Sequence, residues 1–424
     1  MSVSAPAAGI IAVQSSRYRL EFDGNDGGGA PNVWYDLIND PGKTQNLAAK
    51  GTTTLGYHSG ANYSLVDSWF DATVSGVDTW FHTAGPASLL EVSEQTPEHV
   101  LVHTVSAFYA EKSPGQKAPQ PIDVERYWTV YPDGSVFVRQ TIRNQANLDH
   151  LGFIAWAINA NNLTHGFWAA GTEAGQGDSR WLPGSDNNDS VTGNWWAQYG
   201  AGGTAVSRGA VLIDVRDINN PGPTNTTRAI VATGSDRASS HIAVRINNGG
   251  TVAAGNYVES AWLRLDQTLT SVSGDRREVS AFANGLDADY RTAPVSVAAG
   301  SLASTDTFAG GSETLSNGVN LATGRIVVAA AGNHVNLTPQ ISAASPVRFG
   351  PRLKVTGWTG GNPLITWGGT ALRAGLDYNA SVDAPSSILY LQLQFDVVGA
   401  NPGQGQRSAA TLDVTPAPAS ATAF

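Results

Sequence analysis

The chain has 424 residues, of which only 14% are charged, with a net charge of −10, 47 glycines, 12 tryptophans and no cysteine. That length allows two or three domains. An acidic balance with no basic run argues against a nucleic-acid partner, and the lack of cysteine excludes disulfides, thiolate catalysis and thiolate zinc sites.

The first residues, MSVSAPAAGIIAV, lack the basic start and long apolar core of an intact signal peptide. The lack of cysteine fits either a reducing cytosol or an exported protein without bridges; of the two, a secreted or extracellular protein whose signal has been removed is the expectation. No apolar run reaches the ~18 residues a membrane-spanning helix needs. Residues 11–23 alternate and predict one strand, 25–29 (NDGGG) a loop, and 33–38 an edge strand. The glycine-flanked stretch 56–64 carries Tyr57 and His58 and suits a groove rim. Strands are predicted at about 87–94 and 98–109, the second placing Leu101, His103, Val105, Ala107 and Tyr109 on one face.

Residues 124–162 are the most legible part. They read as three strands, the first two joined by Pro132-Asp133-Gly134. Proline presets φ, aspartate bonds its own backbone and glycine takes a positive φ. Such a turn pairs Tyr131 with Ser135, Tyr127 with Arg139 and Glu125 with Thr141. Val124, Trp128, Val130, Val136, Val138 and Ile142 form the core face, with Arg126 the exception among them. The other face carries Glu125, Tyr127, Thr129, Tyr131, Phe137, Arg139, Thr141 and Arg143. The third strand adds Ala155, Ala157, Asn159 and Asn161 opposite Ile154, Trp156 and Ile158. Three readings of this polar face stand: an ordinary half-solvated sheet, a sugar-binding groove, or an interface with another chain.

His165 and Trp168 follow in a loop, and a long loop spans 171–192. Its acidic run, 185–190 (SDNNDS), offers oxygen ligands for calcium but no recognised spacing. A solvated loop is the preferred reading, and no cofactor or metal is expected. Most tryptophans are expected in the core, with some left as stacking platforms. Strands are predicted near 204–215, 228–233, 240–246 and 258–265. A break near 284–294 leads to 325–330, 346–355, 363–367 and 388–398, and residues 414–424 (VTPAPASATAF) read as a loose tail. The division expected is 1–285, 286–415 and a short tail, 416–424.

The hairpin RYWTVYPDGSVFVRQTIRN, residues 126–144, resembles the central hairpin of galactose-mutarotase-like sandwich domains, especially those of polysaccharide lyases. Residues 346–396, with Val355-Thr356-Gly357-Trp358, resemble β-domains that accompany such enzymes. The resemblance implies an all-β fold: a large mutarotase-like antiparallel β-sandwich followed by a smaller β-sandwich. It also implies a sugar site on the concave sheet face. Mutarotases pair a His acid with a Glu base; residues 164–168 partly match the His-aromatic stretch there, and no Glu partner stands out. Many lyases of this kind carry a helical toroid, for which no helical periodicity is present.

β-Elimination from an acidic, uronate-containing polysaccharide or oligosaccharide is the leading activity. It needs cationic or hydrogen-bonding groups for the developing enolate, a base for the C5 proton and an acid for the leaving oxygen. Arg139 or Arg143, with Asn159 and Asn161, suit the first role. His165 or His103 suits the base and Tyr127 or Tyr109 the acid or both, while Trp168, Tyr57 and His58 suit sugar contact. The alternatives are a glycoside hydrolase using carboxylates among Asp67, Glu125, Glu173 and Asp178, and a non-catalytic carbohydrate-binding or surface-appendage protein.

Overall fold

The Pro132-Asp133-Gly134 turn sets the register from which the rest of the first sheet is built. In the computed structural model Gly134 has φ 92°. The Ser135 amide donates to Asp133 Oδ1 at 3.0 Å, and the Tyr131 amide to the Ser135 carbonyl at 2.9 Å. The strands Ile122–Val130 and Ser135–Asn144 therefore pair as the turn chemistry predicts, Tyr127 opposite Arg139 and Glu125 opposite Thr141. The described residues are 1–38, 40–48, 51–52, 62–63, 65–74, 77–83, 85–110, 116–118, 122–145, 148–150, 153–161, 165–168, 187–190, 195–199, 209–217, 228–231, 239–247, 250–252, 254–264, 285, 289, 295–308, 311–315, 317–343 and 345–418.

Two compact units divide the chain. One comprises Met1–Glu94 and Val100–Ala283, the other Gln95–His99 and Asn284–Phe424. Both are built from mainly antiparallel strands. No helix among the described residues is long and apolar enough to cross a membrane.

The first unit is organised by an eight-stranded sheet. Its order is His165–Trp168, Trp195–Tyr199, Gly209–Asp217, Gly255–Arg264, Ser135–Asn144, Ile122–Val130, Val100–Ala107 and Ala87–Gln95. One end of its inner face packs Val100, Val102, Trp128, Val136, Val138 and Leu263 against Val13, Tyr18, Leu20, Phe22 and Trp34 of a four-stranded sheet. The Tyr18 hydroxyl donates to the Tyr131 carbonyl. At the other end Val124 and Ile142 meet Phe70, Phe81 and Phe108. Phe70 and Phe81 belong to a five-stranded sheet, Tyr109–Ala110, Val77–His82, Val66–Val74, Phe153–Asn161 and Ser239–Asn247. A tight turn at Gly27–Gly29 also enters the packing. Gly28 has φ 66°, and a Cβ there would lie 2.3 Å from the Thr83 carbonyl oxygen, so only glycine fits.

Several expectations are corrected. Residues 11–23 are two strands, Ile10–Gln14 and Tyr18–Asp23, because Ser15 Oγ accepts from the Arg17 and Tyr18 amides and closes a turn. The strand Phe153–Asn161 does not extend the hairpin's sheet. Gly255–Arg264 pairs along all ten residues of Ser135–Asn144, so that edge is occupied, and Phe153–Asn161 joins the other sheet. The long loop 171–192 contains a strand, Asn187–Ser190, laddered onto Arg228–Val231. His165 opens a strand paired with Trp195–Tyr199 rather than sitting in a loop.

In the second unit a five-stranded sheet runs Val295–Ala299, Val335–Pro339, Leu412–Pro416, Pro363–Trp367 and Thr370–Ala371. Another sheet carries Ser301–Leu302, Arg325–Ala329, Arg352–Thr356, Ile388–Leu393 and Tyr378–Asp383 in that order. Leu389, Leu391 and Leu393 point into a shared core with Val335, Leu337, Ile365, Trp358, Leu412 and Val414. Val414 thus belongs to a buried central strand, not to a loose tail, because Leu412 and Val414 alternate inward. The predicted strand 388–398 breaks into Ile388–Leu393 and Asp396–Val398. Its second face is not solvated throughout: Tyr390 and Gln392 are buried. Among the described side chains, Trp34, Trp128, Trp262, Trp358 and Trp367 are core residues.

Candidate active site

The outer face of the eight-stranded sheet changes character along the central hairpin. Toward the turn it is apolar and closed: Leu101, Thr129, Tyr131, Phe137 and Trp262 are buried, with Phe137 stacked on Trp262 at 5.0 Å. Phe137 and Tyr131 are therefore packing residues, not open platforms for a sugar ring. Away from the turn the same face is polar. Cross-strand pairing sets His103 beside Tyr127 and Tyr127 beside Arg139, and Asp123 beside Arg143.

Glu125 ties this polar end together. Its Oε1 accepts from the Tyr127 hydroxyl at 3.2 Å and lies 2.9 Å from His103 Nε2. Its Oε2 accepts from the Arg143 guanidinium, which also reaches Asp123 at 3.4 Å. The His103 and Tyr127 rings stack at 4.2 Å with 7° between their planes. His103 Nδ1 lies 3.2 Å from Glu91 Oε1. The Glu91 side chain is 52% exposed and that of Arg143 37%, whereas His103 is 12% exposed. The cluster is half-sealed, with Glu91 and Arg143 on its wet side. Arg139 donates to Thr141 at 3.2 Å on the next row.

The electrostatics follow from these contacts. Burial pushes the Glu125 carboxyl up, but the His103 hydrogen bond, the Arg143 and His103 charges and the Tyr127 hydroxyl outweigh it and hold the group below its ordinary value. Burial, then the charge of Glu125 and the bond to it, push the Tyr127 phenol up to about 12. Tyr127 is thus protonated at neutral pH: it suits an acid and not a base.

The predicted residues do not all meet. His103, Tyr127, Arg139 and Arg143 share this face. Tyr109 does not: the strand ends at Ala107, Phe108 turns inward onto Phe70 at 4.9 Å, and Tyr109 pairs with His82 in the five-stranded sheet. Its hydroxyl donates to the Pro86 carbonyl at 3.2 Å. Asn159 and Asn161 pair with His241 and Ser239 in that same sheet, away from the hairpin's ladder. His165 and Trp168 lie on the far edge strand of the large sheet. Five strand spacings separate that strand from Tyr127, roughly 24 Å along the sheet. Tyr57 and His58 lie outside the described residues, as do Glu173 and Asp178, the Asp67 side chain, and the side chains of the run 185–190.

The sequence alone does not single out Glu91 or Asp123, and it offers Glu125 as a polar-face residue and a hydrolase carboxylate without linking it to His103 or Arg143. The signal existed in the ladder: Asp123, Glu125 and Tyr127 alternate outward, and Glu91 opens the exposed alternation 91, 93, 95 on the second half of Ala87–Gln95. Among the described residues, no group of three or more His, Asp or Glu side chains is arranged to hold a metal ion.

No family model and no curated protein matches the chain. Among solved structures it is similar to a putative aldose 1-epimerase from Escherichia coli, at 10% identity over 61% of this chain and 99% of that one, with a TM-score of 0.36. It is similar to a putative mutarotase from Salmonella typhimurium, at 8% identity over 62% and 96%, with a TM-score of 0.38. A heparan sulfate lyase from Pedobacter heparinus matches at 9% identity over 80% of this chain and 41% of that one, with a TM-score of 0.32.

Proposed function

We propose that the protein is carbohydrate-active, and that the polar end of the large sheet's outer face cleaves a uronate-containing polysaccharide by β-elimination. The observation that carries this reading is the single carboxylate of Glu125 held against His103 Nε2, the Tyr127 hydroxyl and Arg143 at once. A base, the group that orients it, and an acid are thereby gathered at one place.

In this reading Glu125 holds His103 by Nε2, which leaves Nδ1 on the wetter side as the base for the C5 proton. Glu91, exposed and 3.2 Å from Nδ1, gives way to the substrate. Tyr127 protonates the leaving oxygen, a role its high pKa permits. Arg143 and Arg139 face the uronate carboxylate and stabilise the charge it gains as the proton departs. The sugar lies across the strands, with the closed aromatic end at one side.

A second reading has its own support. Both ring nitrogens of His103 and both oxygens of Glu125 have partners within the cluster, as befits a self-satisfied cross-strand network that binds glycans or only holds strands together. The assay that separates the two follows the ultraviolet absorbance of a new conjugated C=C on a panel of uronate-containing polysaccharides. The lyase reading expects a rise on at least one of them, lost in Tyr127→Phe and His103→Ala. New reducing ends without that absorbance mean hydrolysis. No turnover on any member of the panel sinks the catalytic reading.

A further inference from the structure

Within the second unit a lysine amine and a carboxylate are buried against each other. Lys354 stands on Arg352–Thr356, inside the sheet between Arg325–Ala329 and Ile388–Leu393. Asp306 stands on the Thr305–Phe308 strand of a separate hairpin. Lys354 Nζ lies 2.5 Å from Asp306 Oδ1 and donates to the Thr307 carbonyl at 2.7 Å. The two side chains are 5% and 2% exposed.

The groups around this pair suit chemistry between its members. Asn320, itself buried, donates through Nδ2 to the other Asp306 oxygen at 2.7 Å. The orientation of that amide is fixed, because Asn320 Oδ1 accepts from the Ala322 amide at 2.8 Å. Oδ2 of Asp306 thus sits against a preorganised donor, where an oxyanion forms when a nucleophile adds to the carboxyl carbon. Directly across the hairpin from Asp306 is Glu313, a second buried carboxyl. Residues directly opposite in an antiparallel pair put their side chains on the same face.

We propose that Lys354 and Asp306 condense to an intramolecular amide, with Glu313 relaying a proton. The Lys354 Nζ–Asp306 Cγ bond forms and one Cγ–O bond of Asp306 breaks. The ammonium gives up two protons, which leave with that oxygen as water. An ammonium and a carboxylate become an amide and water, so no oxidant, reductant or cofactor is required. Two features favour condensation over a lasting ion pair. Groups held in contact by a fold react with effective molarities on the order of 10⁵–10⁸ M. The amide also removes two charges from a buried site, where an ion pair meets a heavy desolvation cost. The product clips the Thr305–Phe308 hairpin covalently to the central strand, Arg352–Thr356, of that sheet.

Mass spectrometry of the intact, full-length protein tests this. The expected mass is lighter than the sequence mass by one water, and proteolysis should yield a branched peptide joining Lys354 to Asp306. A protein at its full sequence mass overturns the proposal. Lys354→Arg keeps the ion pair but cannot form the same amide, so it should have its full calculated mass. If that variant is also lighter by one water, the loss arises elsewhere and the proposal fails. Glu313→Gln should leave much of the protein uncondensed while circular dichroism shows the strands intact. Full condensation in that folded variant removes Glu313 from the step.

Discussion

Glu125 and Arg126 are neighbours in the chain, and their side chains sit on opposite faces of one strand. Arg126 is fully buried. It donates to Gln140 at 2.7 Å, to Ser68 at 2.9 Å and to Thr83 at 3.2 Å, and its guanidinium lies 5.9 Å from the Trp128 ring centre. Glu125 gathers an equally dense set of polar contacts but shares them with Arg143 and His103 on a half-open surface. Both clusters tie strands together by hydrogen bonds to a charge. The difference is access. The inner network exchanges nothing with solvent and serves the fold, while the outer one can trade a partner for a ligand.

Substitutions break that comparison in graded ways. Arg126→Ala removes the guanidinium that Gln140, Ser68 and Thr83 share, leaving among them the bonds from the Ser68 hydroxyl to Gln140 and from the Ser68 amide to Thr83, each at 3.1 Å. We expect it to cost on the order of 4 kcal/mol of stability in the first unit, read by denaturant unfolding. A loss under about 1 kcal/mol would give this buried network no more weight than a solvent-exposed polar contact. On the outer face, Tyr127→Phe should lower turnover by about a hundredfold through loss of the acid, with KM nearly unchanged. An unchanged kcat would remove Tyr127 from the chemistry. Glu125→Gln should lower kcat about tenfold by loosening His103, yet shift stability by less than about 1 kcal/mol. A larger stability change with no kinetic effect would make Glu125 structural, like Arg126.

The smallest effect is in the pH dependence of stability, and here two carboxyls oppose each other. Glu125 is held below its ordinary value. Its stabilising contribution is present above the unfolded pKa of about 4.3 and is lost as the pH falls through its folded value. Glu98, in the second unit, is pushed up by burial despite the Ser381 hydroxyl 2.7 Å away. Its contribution is present below about pH 4.3 and is lost as the pH rises through its folded value. Glu125→Gln should therefore flatten the acid limb of stability in the first unit. Glu98→Gln should relieve a loss on the alkaline side of the carboxylate range in the second. Thermal unfolding of each variant between about pH 3 and 7 reads both signs.

What the sequence made legible was local. The central hairpin could be read because its turn residues and its period-two pattern pointed the same way, and the observed register follows. The neighbours of that hairpin were not legible. Phe153–Asn161 has the same alternating pattern whichever sheet it joins, and only occupation of the edge by Gly255–Arg264, more than ninety residues on, decides the matter. Tyr109 was misplaced because alternation was carried through Phe108, where the chain dips into the core and the parity of outward positions resets. Glu91 was missed because a lone outward glutamate looks like any solvated strand residue until register brings it beside His103. The apolar end of the outer face shows the reverse limit: Phe137 and Tyr131 alternate as surface residues do, yet are covered.

The place of Leu412–Pro416 has a consequence in time. It is the third of five strands in its sheet, flanked by Val335–Pro339 and Pro363–Trp367, yet it is the last of them to leave the ribosome. Until it arrives, those two strands face each other across an empty slot, each with an unpaired backbone edge. Val335, Leu337 and Ile365, which pack with it in the finished unit, wait for their partner during synthesis. The nascent second unit is thus most exposed to edge-to-edge association just before its chain reaches residue 416, and it closes by insertion rather than by growth at a rim.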